Sequence, residues 1–232
     1  TDEPTVHIGV IEKSGGNIQW NGINVSAGKL SENWNREAGE QVSLYTYTNG
    51  DEVELFLNGK SLGVKKNSND PKLRARIKWD DIAYAPGALL AVARKNDKVV
   101  ARHQIETTGE AVALKLVPDM ETWHADGKDL MHVRILAVDK KGRRVLNVKD
   151  AKAFDKLTFQ VKGDANIVAV DNGNIASDEL HIGKTQLEKS IQRNLFQGSA
   201  LVILRAGDKP GKIELSVAGE KMKAKKLVLN TK

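Results

Sequence analysis

The chain of 232 residues contains no cysteine. That excludes a disulfide framework and any thiolate metal site, and it leaves the compartment open, because many exported bacterial proteins also lack cysteine. Aromatic residues make up only 5%, few enough that each can be weighed as core or surface. No uninterrupted apolar run approaches the length needed to span a bilayer. A Ser-centred nucleophile elbow, a phosphate loop and a dinucleotide fingerprint are all missing, so nucleophilic and nucleotide chemistry have no support. There are no repeats of solenoid length and no low-complexity tracts.

Apolar residues supply 40% and charged residues 28% of the chain, with a net charge of +6. This is enough apolar material for packed cores and far from the disordered regime. The basic residues are dispersed among acidic ones. Their densest groups, Lys140-Lys141 with Arg143-Arg144 and Lys221, Lys223, Lys225 and Lys226, read as turn and edge-strand decoration that discourages intermolecular strand pairing. No nucleic-acid partner is implied. The length suits two domains of ordinary size.

Alternation of period two dominates, punctuated by Gly, Asn and Asp as in an all-β sandwich. The clearest segment is Asn49-Gly50-Asp51-Glu52-Val53-Glu54-Leu55-Phe56-Leu57-Asn58-Gly59-Lys60-Ser61-Leu62-Gly63. Val53, Leu55 and Leu57 share one strand face, and Asn58-Gly59 supplies the positive φ angles of a two-residue hairpin turn. Further strands are predicted at 6–11, 42–46, 73–79, 88–94 and 99–106. In the second half Val112, Leu114 and Leu116 alternate before a bend at Pro118. Met131, Val133, Ile135 and Ala137 share a face, and Asp139 to Gly142 closes a turn. Strands follow at 157–161, 167–170, 200–205, 213–217 and 226–229. Leu187, Ile191 and Leu195 stand four apart, a helical period against the trend.

The hairpin segment, with its lead-in Asn33-Trp34-Asn35-Arg36-Glu37-Ala38-Gly39, resembles the C-terminal accessory domains of glycoside hydrolase family 2, the β-galactosidase-like enzymes. The resemblance continues through Trp79, Tyr84-Ala85-Pro86-Gly87-Ala88-Leu89, Thr107-Thr108-Gly109 and Ala125-Asp126-Gly127-Lys128-Asp129-Leu130. It takes in Val170-Asp171-Asn172-Gly173-Asn174 and the run Phe196-Gln197-Gly198-Ser199-Ala200-Leu201-Val202-Ile203. Order and spacing carry it across nearly the whole chain; the first thirty or so residues lie outside it. It implies two tandem immunoglobulin-like β-sandwich domains, 1–108 and 109–232, with an irregular segment and a strand near Leu187 to Leu195. It also implies a structural, non-catalytic role beside the catalytic domain of a glycoside hydrolase or another subunit, and an exported, periplasmic or extracellular location. The chain starts at Thr1 rather than Met, so its polar first residues read as a mature or trimmed end.

Glycoside hydrolysis needs two carboxyl groups on a rigid concave frame. The family's frame is a (β/α)₈ barrel, and this chain shows no βαβ alternation. The pairs Glu52 with Glu54 and Asp80 with Asp81 read as solvated strand and turn residues, so no catalytic residue is assigned. His7, His103, His124, His132 and His181 show no local zinc-type spacing, which leaves only a site assembled from distant positions. Asp171, Asn172 and Gly173 lack a calcium-loop pattern and read as a structural turn, like Asn58 and Gly59. No cofactor is implied.

Sugar binding would need an exposed aromatic ring to stack on a pyranose face. Trp34 and Trp79 read as core. Trp20, in a Gly- and Asn-rich segment, and Trp123, before the Ala125-Asp126-Gly127 turn, are the carbohydrate-binding candidates. A carbohydrate-binding module is therefore one alternative, with an oligosaccharide partner. The other is a free-standing surface adhesion protein.

Overall fold

The computed structural model describes residues 3–12, 17–20, 23–26, 30–146, 156–175, 177–181, 189–219 and 224–232, with backbone alone for 17–20 and 23–26. Every regular element among them is a β-strand. The chain divides into two compact units, Thr1–Thr107 and Thr108–Lys232.

In the first unit one sheet holds β1 (Val6–Ile11), β4 (Leu30–Ser31), β5 (Gln41–Thr48) and β8 (Arg76–Ala83), in the order β4-β1-β5-β8. The other holds β6 (Glu52–Leu57), β7 (Lys60–Lys66), β9 (Ala88–Lys95) and β10 (Lys98–Glu106), in the order β10-β9-β6-β7. All pairings are antiparallel. Apart from the short β4, this is the three-plus-four arrangement of an immunoglobulin-like sandwich. A separate hairpin pairs β2 (Asn17–Trp20) with β3 (Ile23–Ser26). Alternation explains the packing: Val42, Leu44, Val53, Leu55, Ile77 and Trp79 all point into one core with Ile8, Val10, Leu89, Ala91 and Trp34. Asp81, at φ 56°, inserts an extra residue into β8, and that bulge turns Ile82 inward out of phase with Trp79.

The second unit has the sheets β11-β12-β16-β14 and β15-β13-β17-β18. Their strands are β11 (Ala113–Pro118), β12 (Leu130–Val138), β13 (Leu157–Lys162), β14 (Ala165–Asp171), β15 (Ser190–Arg193), β16 (Ser199–Ala206), β17 (Gly211–Ala218) and β18 (Lys225–Thr231). Met131, Val133, Ile135 and Ala137 face the core, as their spacing predicts. Lys225 and Lys226 lie exposed on the edge strand β18.

Two sequence expectations change. The strand predicted from Leu73 begins at Arg76, and Leu73 is exposed. Pro71 follows Asp70, whose carboxylate accepts the Lys72 amide while its carbonyl accepts those of Leu73 and Arg74, so a turn overrides the alternation. Val112 is exposed before the start of β11. Around Ile191 the chain is the strand β15, as the resemblance implies. Ile191 in β15 and Leu195 just beyond it both pack on the core, and a spacing of four also keeps two residues on one face of an extended chain; Leu187 lies outside the described residues.

Candidate functional site

Three tryptophans are spent on the interior. Trp34 and Trp79 are core residues, with Trp79 Nε1 donating to Thr46 Oγ1 at 3.0 Å. Trp123, a sugar-binding candidate in the sequence, is 0% exposed and donates from Nε1 to the Asp129 carbonyl at 3.1 Å. Its ring is completely buried and so has no free face for a pyranose. For Trp20 the structure gives a place in β2 and no description of the side chain.

The acidic pairs are engaged in local contacts. Glu54 accepts from Arg94 at 2.7 Å and from Ser61 at 2.8 Å, and these bonds hold its carboxyl below the usual range. Asp80 pairs with Lys78 at 3.0 Å and accepts from Ser43 at 2.8 Å, with the same effect. Carboxylates so pinned are poor general acids, which need a raised pKa.

The motif turns are tied together in a way that single motifs do not reveal. Asn58 and Gly59 sit at φ 51° and 80°, closing the β6–β7 hairpin with Leu57 opposite Lys60. The Asn58 amide then reaches across to the Tyr84–Gly87 turn, donating to the Pro86 carbonyl at 3.0 Å and accepting from the Ala88 amide at 2.9 Å. A Cβ on Gly87, at φ 136°, would lie 1.8 Å from Asn58 Oδ1, so only glycine permits this approach. Thr107 closes the other side: its Oγ1 accepts the Gly87 amide at 3.0 Å and lies 3.0 Å from the Tyr84 hydroxyl.

In the second unit Asp171 Oδ1 accepts the amides of Asn172 and Gly173 at 2.6 and 3.1 Å, and those bonds lower its pKa. Arg193, 0% exposed, clamps this turn from beneath. It donates to the Glu179 carbonyl at 2.7 Å and to Asn172 Oδ1 at 3.3 Å, and it faces Asp171 at 3.4 Å. Sequence reading missed Arg193, because a charged residue at an inward strand position carries no period signal of its own. Asp139 is a second buried anchor, accepting from the amides of Gly109, Lys141 and Arg143 and from the Arg143 guanidinium.

One cluster does assemble distant residues. His7 on β1, Glu32 just after β4 and His103 on β10 bring their ligand atoms within 4.8 Å of one another. Glu32 Oε1 lies 3.6 Å from His7 Nε2 and 3.5 Å from His103 Nε2, and the two rings stack at 4.5 Å between centroids. The Ile8 amide, on the stretch of β1 that β4 does not cover, donates to His103 Nδ1 at 3.1 Å. Burial first, then the adjacent His7, push the His103 pKa down against the opposing pull of Glu32. No signal of local spacing could have found this set, since β1 and β10 lie at opposite ends of the unit's sequence.

Comparison with known proteins agrees with these observations. Residues 114–228 match the model for glycoside hydrolase family 2 C-terminal domain 5, and residues 39–101 match a domain of unknown function (DUF4982). The beta-galactosidase BoGH2A of Bacteroides ovatus is 36% identical over 192 residues, 82% of this chain and 21% of that protein. A beta-glucuronidase of Formosa agariphila is 34% identical over 134 residues, 57% of this chain and 13% of that protein. Among solved structures, a family 2 member from Bacteroides cellulosilyticus superposes on 100% of this chain with a TM-score of 0.80 at 28% identity, using 29% of its own length. The chain thus spans under a third of the relatives it matches, and it belongs to the C-terminal accessory domains of glycoside hydrolase family 2.

Proposed function

We propose that the chain is a non-catalytic accessory region of a β-galactosidase-like glycoside hydrolase that degrades carbohydrate, where it buttresses a catalytic part lying outside these 232 residues. The observation that carries this reading is coverage: all of the chain superposes on less than a third of a family 2 enzyme. The use of the motif residues supports it, since Trp34, Trp79, Asn58, Gly87 and Thr107 are spent on core and turns. The acidic pairs point the same way, with Glu54 and Asp80 held ionised by cations and hydroxyls instead of facing each other across a cleft. A sugar platform using Trp123 forms no part of the reading, as that ring is buried. By the same reading the parent enzyme is exported, which fractionation of the host cell tests.

The direct experiment has two arms. The purified chain is assayed with nitrophenyl β-galactoside and β-glucuronide, and no turnover is expected. The parent enzyme is then compared with a form lacking this region. The deletion is expected to lower thermal stability or change subunit association, with chemistry per folded active site retained. Turnover by the isolated chain, or a deletion form as stable and as associated as the parent, overturns the reading.

A further inference from the structure

We propose that His7, Glu32 and His103 form a binding site for a divalent transition-metal ion of the zinc class, which would staple β1 to β10. The two imidazoles and one carboxylate are the donor set that zinc, nickel and cobalt favour over calcium or magnesium. Bonds of about 2.1 Å place neighbouring ligand atoms about 3.4 Å apart in a tetrahedral site. The observed separations of 3.5 and 3.6 Å are close to that edge and too long for good hydrogen bonds.

The side chains of His7, Glu32 and His103 are 51%, 43% and 24% exposed, so an ion can enter from solvent and keep a fourth position for water. The three donors come from β1, from the segment after β4 and from β10, so the ion would tie together the two sheets of one sandwich. One contact competes. A ring that ligates through Nε2 carries its proton on Nδ1, and there the Ile8 amide now donates. Metal binding must therefore turn the ring slightly and release that amide, which weakens the affinity by roughly tenfold.

The release supplies a specific readout. Zinc titration of the full chain, followed by calorimetry and by the backbone amide resonances, should show one saturable site in the micromolar range or tighter. The Ile8 amide signal should shift in step with it. Melting temperature should rise with the logarithm of zinc concentration once the site fills, and chelator should reverse the rise. His7→Asn and Glu32→Gln, both at half-exposed positions that tolerate change, should each lower the affinity at least tenfold, as should His103→Gln. Exposed His124, His132 and His181, each beside a carboxylate, are the competing weak sites, so replacing all three by Asn should leave the titration unaltered. Absence of saturable binding overturns the proposal. So does binding insensitive to the three substitutions, or binding that leaves Ile8 unmoved and survives His103→Gln, which would reduce the set to a two-ligand surface contact.

Discussion

Replacing Asp139 by alanine removes the acceptor on which five donors converge. The Arg143 guanidinium contributes Nε at 2.9 Å and Nη2 at 2.6 Å; the amides of Gly109, Lys141 and Arg143 lie at 3.0, 2.9 and 3.0 Å. The carboxylate is 3% exposed and Arg143 is 28% exposed, so after the substitution Arg143 can partly rehydrate. Breaking a buried pair costs about 3–5 kcal/mol, and this rehydration puts the expected loss near the lower end, about 3 kcal/mol. For a unit the size of Thr108–Lys232 the unfolding entropy makes 1 kcal/mol worth about 4 °C, so its melting transition should fall by about 12 °C. Asp139→Asn keeps an acceptor for the turn amides and should lose about half as much.

The same anchor sets an acid response. Burial raises the Asp139 pKa, but the Arg143 side chain and the three amides outweigh it and hold the carboxyl well below its ordinary value. A depressed carboxyl contributes stability above its unfolded pKa of about 3.9 and loses it as pH falls toward the folded value. Urea unfolding at pH 7 should therefore separate wild type from Asp139→Ala by the full amount, and the gap should narrow steadily below about pH 4. A difference under about 1 kcal/mol at pH 7, or a gap that widens in acid, would refute the account of Asp139 as a charged anchor.

Trp123→Phe should cost about 1–2 kcal/mol through the lost bond to the Asp129 carbonyl and the smaller ring. The Trp123 contribution to wild-type fluorescence should resist acrylamide quenching and ignore added galactose-, xylose- and glucuronate-containing oligosaccharides, consistent with its complete burial. Arg193→Lys keeps the charge but cannot reproduce the fork that spans Glu179, Asn172 and Asp171, so chemical denaturation should show a loss of about 2 kcal/mol. A neutral result at that position would mean the turn holds itself without the buried guanidinium.

The strands were legible because each unit buries one face of nearly every strand, and burial writes itself into the sequence as alternation. Val53 and Leu55, or Met131 through Ala137, could be assigned to the core by counting twos. What escaped follows from the same physics. β7 is exposed along its whole length, Leu62 and Val64 included, so apolar alternation there marks no core face, and the Asn58-Gly59 turn is what announced the strand. Leu73 and Ala75 continue the phase of Ile77 and Trp79, yet Asp70 and Pro71 stop the strand short. Trp123 gave no warning of burial, because its partner is a carbonyl rather than a side chain. The metal-type cluster was invisible for a topological reason, with His7 and His103 meeting only after the two sheets close.

The family signature acquires a physical meaning in the contact between Asn58, Gly87 and Thr107. Asn58 grips the Tyr84–Gly87 turn through Pro86 and Ala88, and Thr107 grips it through Gly87 and Tyr84. Neither residue touches the other in that description, yet both act on one short piece of backbone whose φ of 136° at Gly87 is strained for any other residue. If the motif exists to hold that turn, the two grips must be cooperative: once one is removed the turn relaxes and the second loses much of its value. Asn58→Ala and Thr107→Val should each cost about 1–2 kcal/mol in urea unfolding, and the double variant should fall short of their sum by about 1 kcal/mol. Strict additivity would mean that the hairpin and the 84–87 turn are held independently, and the spacing between the two motifs would then need another cause. Non-additivity would show that the signature encodes a mechanical coupling within the sandwich, which is what the proposed buttress role requires.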